Sequence, residues 1–360
     1  MRMSTLFKAS VCSTATALAI GQSLTPAIHL QPSTRIEVRT TLTSPFVGDA
    51  VSDTAGSVYT RLFEGANAGA LDYDALPISE IASDGTLVRS FNVSEAFLDS
   101  EPSRQPGATS NHGIFGVATF VTSDGDVFEL AGSHEGIFAV EFAQDGSFKS
   151  KVKLETESSM QPWRLAVFKS GQYLVSGTTG KDHLTPFTAV FSASGRLIKS
   201  IYESEDEEAR LRSTPGDGGF HPWNVTYGRD FIYMGEITIA SDGNAYLLHG
   251  GNSIGLVYGI SPQGEVLRKL RIDTEDSDMV TRSIRSYENH LAIEFEKHVG
   301  DSVQNLIKLT NLMGDPIADY SVDAVGRDLM FLAGYGPRGF VFKPAKDNDK
   351  KLYLITVKVP

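Results

Sequence analysis

Ile237-TIASDGNAYLLHGGNSIGLVYGISPQGEVLRKLR-Ile272 reads as four short alternating runs separated by turn residues. Ser241-Asp242-Gly243 divides the first pair and Ser261-Pro262-Gln263-Gly264 divides the second. Period-two alternation sends apolar side chains to one face of a strand, and glycine supplies the positive φ that tight hairpins need. Two consecutive hairpins make a four-stranded antiparallel meander. That unit is one blade of a β-propeller.

The same unit recurs along the chain, and internal repeats decide an architecture before any local reading does. Second hairpins like that of Gly255–Ile272 are Ile78-SEIASDGTLVRSF-Asn92, Ile137-FAVEFAQDGSFKSKV-Lys153, Phe187-TAVFSASGRLIKSI-Tyr202 and a worn Gln304-NLIKLTNLMGDPIADYS-Val322. First hairpins are Gly116-VATFVTSDGDVFELA-Gly132, Arg164-LAVFKSGQYLVS-Gly177 and, more loosely, Asp49-AVSDTAGSVYTRL-Phe63. A last blade begins with Asp328-LMFLAGYGPRGFVF-Lys343, continues with Lys351-LYLITVK-Val359 and then runs out of chain. Its missing outer strand has a candidate in Thr34-RIEVRTT-Leu42, which carries the alternation and basic flank of the other outer strands. Closure of this kind removes the two exposed sheet edges that a gapped ring would present. The expected fold is therefore all-β, with six four-stranded blades and the last blade closed by an N-terminal strand. Residues 203–235 leave room for an extra strand pair, which would make seven blades.

The repeated apolar strand, Asp-Gly, apolar strand pattern, as in Ser83-Asp84-Gly85 and Ser241-Asp242-Gly243, resembles six-bladed propellers of the NHL and TolB-like kind. The likeness covers about residues 34–360. It implies an architecture, and it leaves function open because such propellers host lyases, lactonases, scaffolds and polysaccharide binders alike.

The start of the chain has the tripartite pattern of a secretory signal. Arg2 and Lys8 are basic, Ala9–Ile20 is uncharged, and Ala17-Leu18-Ala19 offers a small-x-small cleavage site. The expected organisation is a signal peptide at 1–19, a linker at 20–33 and a single propeller domain at 34–360, placed outside the cytoplasm. The uncharged stretch is too short to span a bilayer, so no stable membrane insertion is expected. Cys12, the one cysteine, lies inside the signal and follows Val11, not the small residue a lipoprotein anchor needs. Cleavage takes away two positive charges and no negative ones, lowering the formal charge from −12 to −14. A chain so acidic is not expected to bind nucleic acid, and one without thiols can form neither disulfides nor thiolate metal sites.

Strand order predicts where chemistry would sit. With strands a to d running from axis to rim, the a–b and c–d turns share one face and the b–c and d–a loops share the other. The short glycine turns crowd the first face. The long irregular loops crowd the second, and loops on a rigid scaffold carry function more often than strands do. His112, His134, His183, His221, His249 and His298 fall in or beside loops of that long-loop face. His112, His221 and His249 stand nearest the expected channel mouth, where three imidazoles would hold a divalent cation. No His-x-Glu-x-x-His spacing or other cofactor motif accompanies them, so no cofactor is evident beyond that cation. Trp163 and Trp223 each follow a proline at the start of a strand. They read either as platforms for a sugar or peptide or as packing between blades. Arg164, Asn224 and Arg282 are the further candidates for the channel mouth.

Three functions fit this reading. The first is a non-catalytic propeller binding an extracytoplasmic peptide, protein partner or polysaccharide on its long-loop face. The second is a metal-dependent lyase or lactonase-like enzyme using the histidine-rich mouth. The third is a structural envelope protein.

Overall fold

The computed structural model describes residues 26–64, 76–97, 115–156, 160–179, 185–201, 236–250, 253–299, 302–323, 331–346 and 351–360. Twenty-five strands form six sheets. Blade I comprises β3 (Pro45–Ser52), β4 (Val58–Glu64), β5 (Ile78–Ile81) and β6 (Leu87–Phe91). Blade II comprises β7 (Phe115–Val121), β8 (Val127–Ser133), β9 (Gly136–Phe142) and β10 (Phe148–Lys153). Blade III is built from β11 (Gln161–Val167), β12 (Tyr173–Thr179), β13 (Thr185–Phe191) and β14 (Leu197–Ser200). Blade IV is built from β15 (Ile237–Ile239), β16 (Ala245–Gly250), β17 (Ile254–Ile260) and β18 (Val266–Asp273). Blade V holds β19 (Val280–Tyr287), β20 (His290–Val299), β21 (Ser302–Asn311) and β22 (Pro316–Asp323). Blade VI holds β23 (Leu332–Gly336), β24 (Gly339–Lys346) and β25 (Leu352–Val357).

The first strand of each blade touches the first strand of the next, from β3 through β7, β11, β15, β19 and β23 and back to β3. These six strands therefore line the axis. Direct contact between β11 and β15 leaves no place for a blade between III and IV, so the ring has six blades and the seven-bladed alternative is set aside.

Nine hairpins share one turn, in which the amide of a glycine donates to the carbonyl three residues back and a second bond closes the loop one residue further on. The glycines run from φ +77° at Gly264 to φ +92° at Gly146. This is a type I turn followed by a residue in the left-handed region, which explains the recurring x-x-x-Gly-x in the sequence. In five blades the innermost strand also carries a register shift, between Val47 and Ala50, Gly116 and Ala118, Pro162 and Arg164, Thr281 and Ser283, and Leu332 and Gly334. Bulges bend a strand and turn a side chain out of the ladder, here beside the channel.

Blade VI is completed by β2 (Thr34–Glu37), antiparallel to β25 with Thr34 opposite Thr356 and Glu37 opposite Tyr353. The closing strand is thus shorter than the Thr34–Leu42 stretch expected. After it the chain turns onto blade I, where Arg39 bridges to Thr86. The segment read as a linker at 20–33 also differs at its end. Ile28–Leu30 forms β1, a fifth strand parallel to β22 on the rim of blade V. Its short run carries no alternation long enough to mark it as a strand. Leu30 is nevertheless buried with Tyr320, Val322 and Phe340, in the core shared by blades V and VI.

Candidate functional site

The innermost strands run from the long-loop face to the short-turn face and place charged side chains midway along the channel. Arg164 on β11 forms an ion pair with Glu236, its Nε 3.0 Å from one carboxylate oxygen, and Arg285 on β19 donates from Nη1 to the other oxygen of Glu236 at 3.0 Å. Asp49 on β3 lies 3.9 Å from Arg164, and Arg285 also donates from Nε to the carbonyl of Ala333 on β23 at 2.8 Å. The side chains of Arg164, Glu236 and Arg285 are only 22%, 23% and 13% exposed. The consecutive blades III, IV and V thereby share one ion network beside the axis, to which blade VI adds a carbonyl and blade I the exposed carboxylate of Asp49. Burial alone would push the Glu236 carboxyl up, but the two guanidinium groups outweigh it and hold it below the usual carboxylate range.

Two further networks sit between blades. Arg61 on β4 pairs with the fully buried Glu129 on β8 at 2.6 Å, and Thr119 donates to the second oxygen of Glu129 at 2.9 Å. Gly116 lies so close to this pair that any side chain there would collide with both partners. In blade V, Glu294 is completely buried on β20. Its Oε2 accepts from Ser283 Oγ at 2.7 Å and from the amide of Leu332 in blade VI at 3.0 Å, while its Oε1 has no hydrogen-bond partner. Burial pushes this carboxyl up to about 7, with the neighbouring Glu296 adding to the shift.

Of the residues singled out from the sequence, His112, His183, His221, Trp223 and Asn224 lie outside the described residues. Arg164 is in the axial network. Arg282 on β19 pairs with the buried Glu296, whose Oε1 is also 3.3 Å from Nε2 of His298. Trp163 is the extra residue of the β11 bulge, on the long-loop side of Arg164. It is 45% exposed and donates from Nε1 to Thr178 at 3.2 Å, so it stands at the surface and does not pack between blades. His134 is exposed in the turn between β8 and β9. His249 is partly buried on β16, the second strand of blade IV, where burial pushes its imidazole down to about 4 and so keeps it neutral. Among the described residues, no three His, Cys, Asp or Glu side chains stand close enough to share a metal ion.

Sequence reasoning missed Asp49, Glu236 and Arg285. The innermost strand β19 mixes its apolar residues with Thr281, Arg282, Ser283 and Ser286, so its pattern did not mark Arg285.

At the other end of the channel, all six blades surround a cavity of about 640 Å³ whose floor is Arg285. It opens among the a–b turns. The described pocket is therefore on the short-turn face, opposite the face that the loop lengths favour.

A six-bladed β-propeller, closed by its N-terminal strand and carrying an ion network beside its axis, is what these elements define. No family model matches the chain, and no curated protein matches it. Among solved structures it is similar to a luciferin-regenerating enzyme, at 8% identity and a TM-score of 0.47 over 90% of this chain and 96% of that one. It is also similar to a putative gluconolactonase, at 11% identity and a TM-score of 0.46 over 91% and 94% of the two chains. A PQQ-bound aldose sugar dehydrogenase from Streptomyces coelicolor aligns at 12% identity and a TM-score of 0.42 over 91% and 98%. Likenesses this distant carry nothing about activity.

Proposed function

We propose that this chain is an exported propeller that binds a peptide, protein partner or polysaccharide on its long-loop face without transforming it. The observation that carries the reading is the commitment of the axial charges. Glu236 is held ionised between Arg164 and Arg285, so it neither donates a proton nor offers a free oxygen to a metal. Such a network ties three consecutive blades together, as suits a rigid platform for recognition. Trp163 supports the reading, because a half-exposed indole at the channel mouth offers an apolar face with its N–H already satisfied.

The test is titration of the purified protein with oligosaccharide and peptide panels, following tryptophan fluorescence, with the Trp163→Phe variant assigning the signal. Saturable binding with the ligand recovered intact is expected. Turnover of any ligand, abolished by a chelator and by replacing His112, His221 and His249 together, would favour the metal-dependent enzyme instead.

A further inference from the structure

We propose that the axial cavity on the short-turn face binds an organic cation, a protonated amine or guanidinium carried on an apolar or aromatic body. The volume of about 640 Å³ suits a ligand of modest size. Its charge is one-sided. Asp53, Asp124, Asp126 and Glu288 line it against Lys169 and Arg285, and Arg285 is already committed to Glu236. Carboxylates around a low-dielectric funnel focus a negative potential and concentrate cations.

The walls supply the other half of the recognition. Tyr287 and Tyr335 meet edge to face with ring centroids 5.6 Å apart, backed by Phe120 and Phe168 of blades II and III, which are themselves buried in the core. Aromatic faces attract a cation as well as an apolar body. A neutral polyol finds less to bind, because hydroxyls in the wall are engaged within the protein. Thr238 and Ser286 share a hydrogen bond of 2.8 Å, Ser286 donates to the carbonyl of Ile239, and Thr122 accepts from the amide of Asp126. Asp53 is oriented by the amide of Ser57 at 2.9 Å and the hydroxyl of Tyr59 at 3.1 Å. The cavity lies beyond the ion network from the long-loop face, so this inference stands or falls independently of ligand binding there.

The experiment is calorimetric titration of the exported chain at low salt with tyramine, with its neutral alcohol analogue tyrosol, and with an N-acetylated, C-amidated peptide containing one internal lysine. Saturable binding of tyramine or the peptide, without saturable binding of tyrosol, is expected. Binding of the peptide alone identifies a partner's basic side chain as the source of the cation. Binding of both identifies a free amine as sufficient. The triple variant Asp124→Asn, Asp126→Asn and Glu288→Gln should weaken the interaction about tenfold, since each carboxylate is at least partly solvated. Should that variant fail to fold, the Asp124→Asn and Glu288→Gln pair, at exposed sites, should still weaken it about threefold. Equal affinity for tyramine and tyrosol, absence of binding by both cations, or unchanged affinity in the folded variants would overturn the proposal.

Discussion

The amide of Arg39 donates to the carbonyl of Gly85 at 2.9 Å, and the amide of Glu155 donates to the carbonyl of Gly195 at 2.8 Å. The second bond joins the end of blade II to the outer turn of blade III. The first makes the same junction between the N-terminal strand and blade I. Gly85 packs against the carbonyl of Glu37 as Gly195 packs against that of Lys153, so β2 occupies the place of an ordinary outer strand toward both of its neighbours.

This junction predicts an asymmetry between two glycines. Gly85 and Gly243 have nearly the same backbone, at φ +82° and +80°. A Cβ on Gly243 meets nothing within 4 Å, whereas one on Gly85 would collide with the Glu37 carbonyl. Gly243→Ala should therefore cost only the left-handed penalty of about 1–2 kcal/mol. Gly85→Ala should cost about 1–3 kcal/mol more, the range for a disturbed packed contact. Urea denaturation of both variants checks this, and equal losses would show that β2 does not pack on that turn.

Removing the shared carboxylate should be costly. Glu236→Gln leaves Arg164 and Arg285, on either side of blade IV, without their common counter-charge. Breaking a buried pair costs about 3–5 kcal/mol, and partial exposure lowers the expectation here to about 2 kcal/mol. A denaturation midpoint unchanged from the parent would mean that the network contributes nothing to the ring.

Glu294 predicts a pH dependence of definite sign. Its pKa in the fold, about 7, lies above the ordinary glutamate value of 4.5, so folding favours the neutral form. The stability it contributes is complete below about pH 4.5 and is lost as pH rises through about 7. Over that window the loss is about 3–4 kcal/mol, from about 1.4 kcal/mol per unit. Glu294→Gln, permanently neutral, should match the parent near pH 4.5 and exceed it at pH 8. Denaturation of both proteins across this range is the measurement, and parallel pH profiles would count against the assignment.

The proposed export has a consequence at the N-terminus. The signal pattern places cleavage near Ala19, and β1 begins at Ile28. Mass spectrometry of secreted protein should find a start between residues 18 and 28. Intact Met1 in that material would refute the export reading.

The glycine turns explain why so much of the fold was legible. Each x-x-x-Gly-x forces a hairpin whatever surrounds it, and the alternating runs then pair with little freedom of register. Where that signal is missing, so was the reading. The first hairpin of blade V turns at Glu288-Asn289 without glycine, with Glu288 itself at φ +50°. The axial network was half visible, since Arg164 could be suspected from its position after Trp163. Its partners could not, because Glu236 and Arg285 are distant in sequence and only the ring brings them together. β1 escaped notice because a three-residue strand carries no periodicity.

The double attachment of the N-terminal segment also sets an order of events during biosynthesis. Ile28 pairs with Tyr320 and Thr34 with Thr356, so a segment made early docks onto one made roughly 300 residues later. Closing a loop of that length costs about 5 kcal/mol of chain entropy before any ladder bond forms. Blades I to IV can assemble as the chain emerges, while the segment around β1 and β2 must stay extended and unpaired until residues 316–357 arrive. Throughout that interval it is a free β-strand, open to capture by the wrong edge. A chaperone that shields residues 26–42 would protect the nascent protein where it is most exposed to domain swapping.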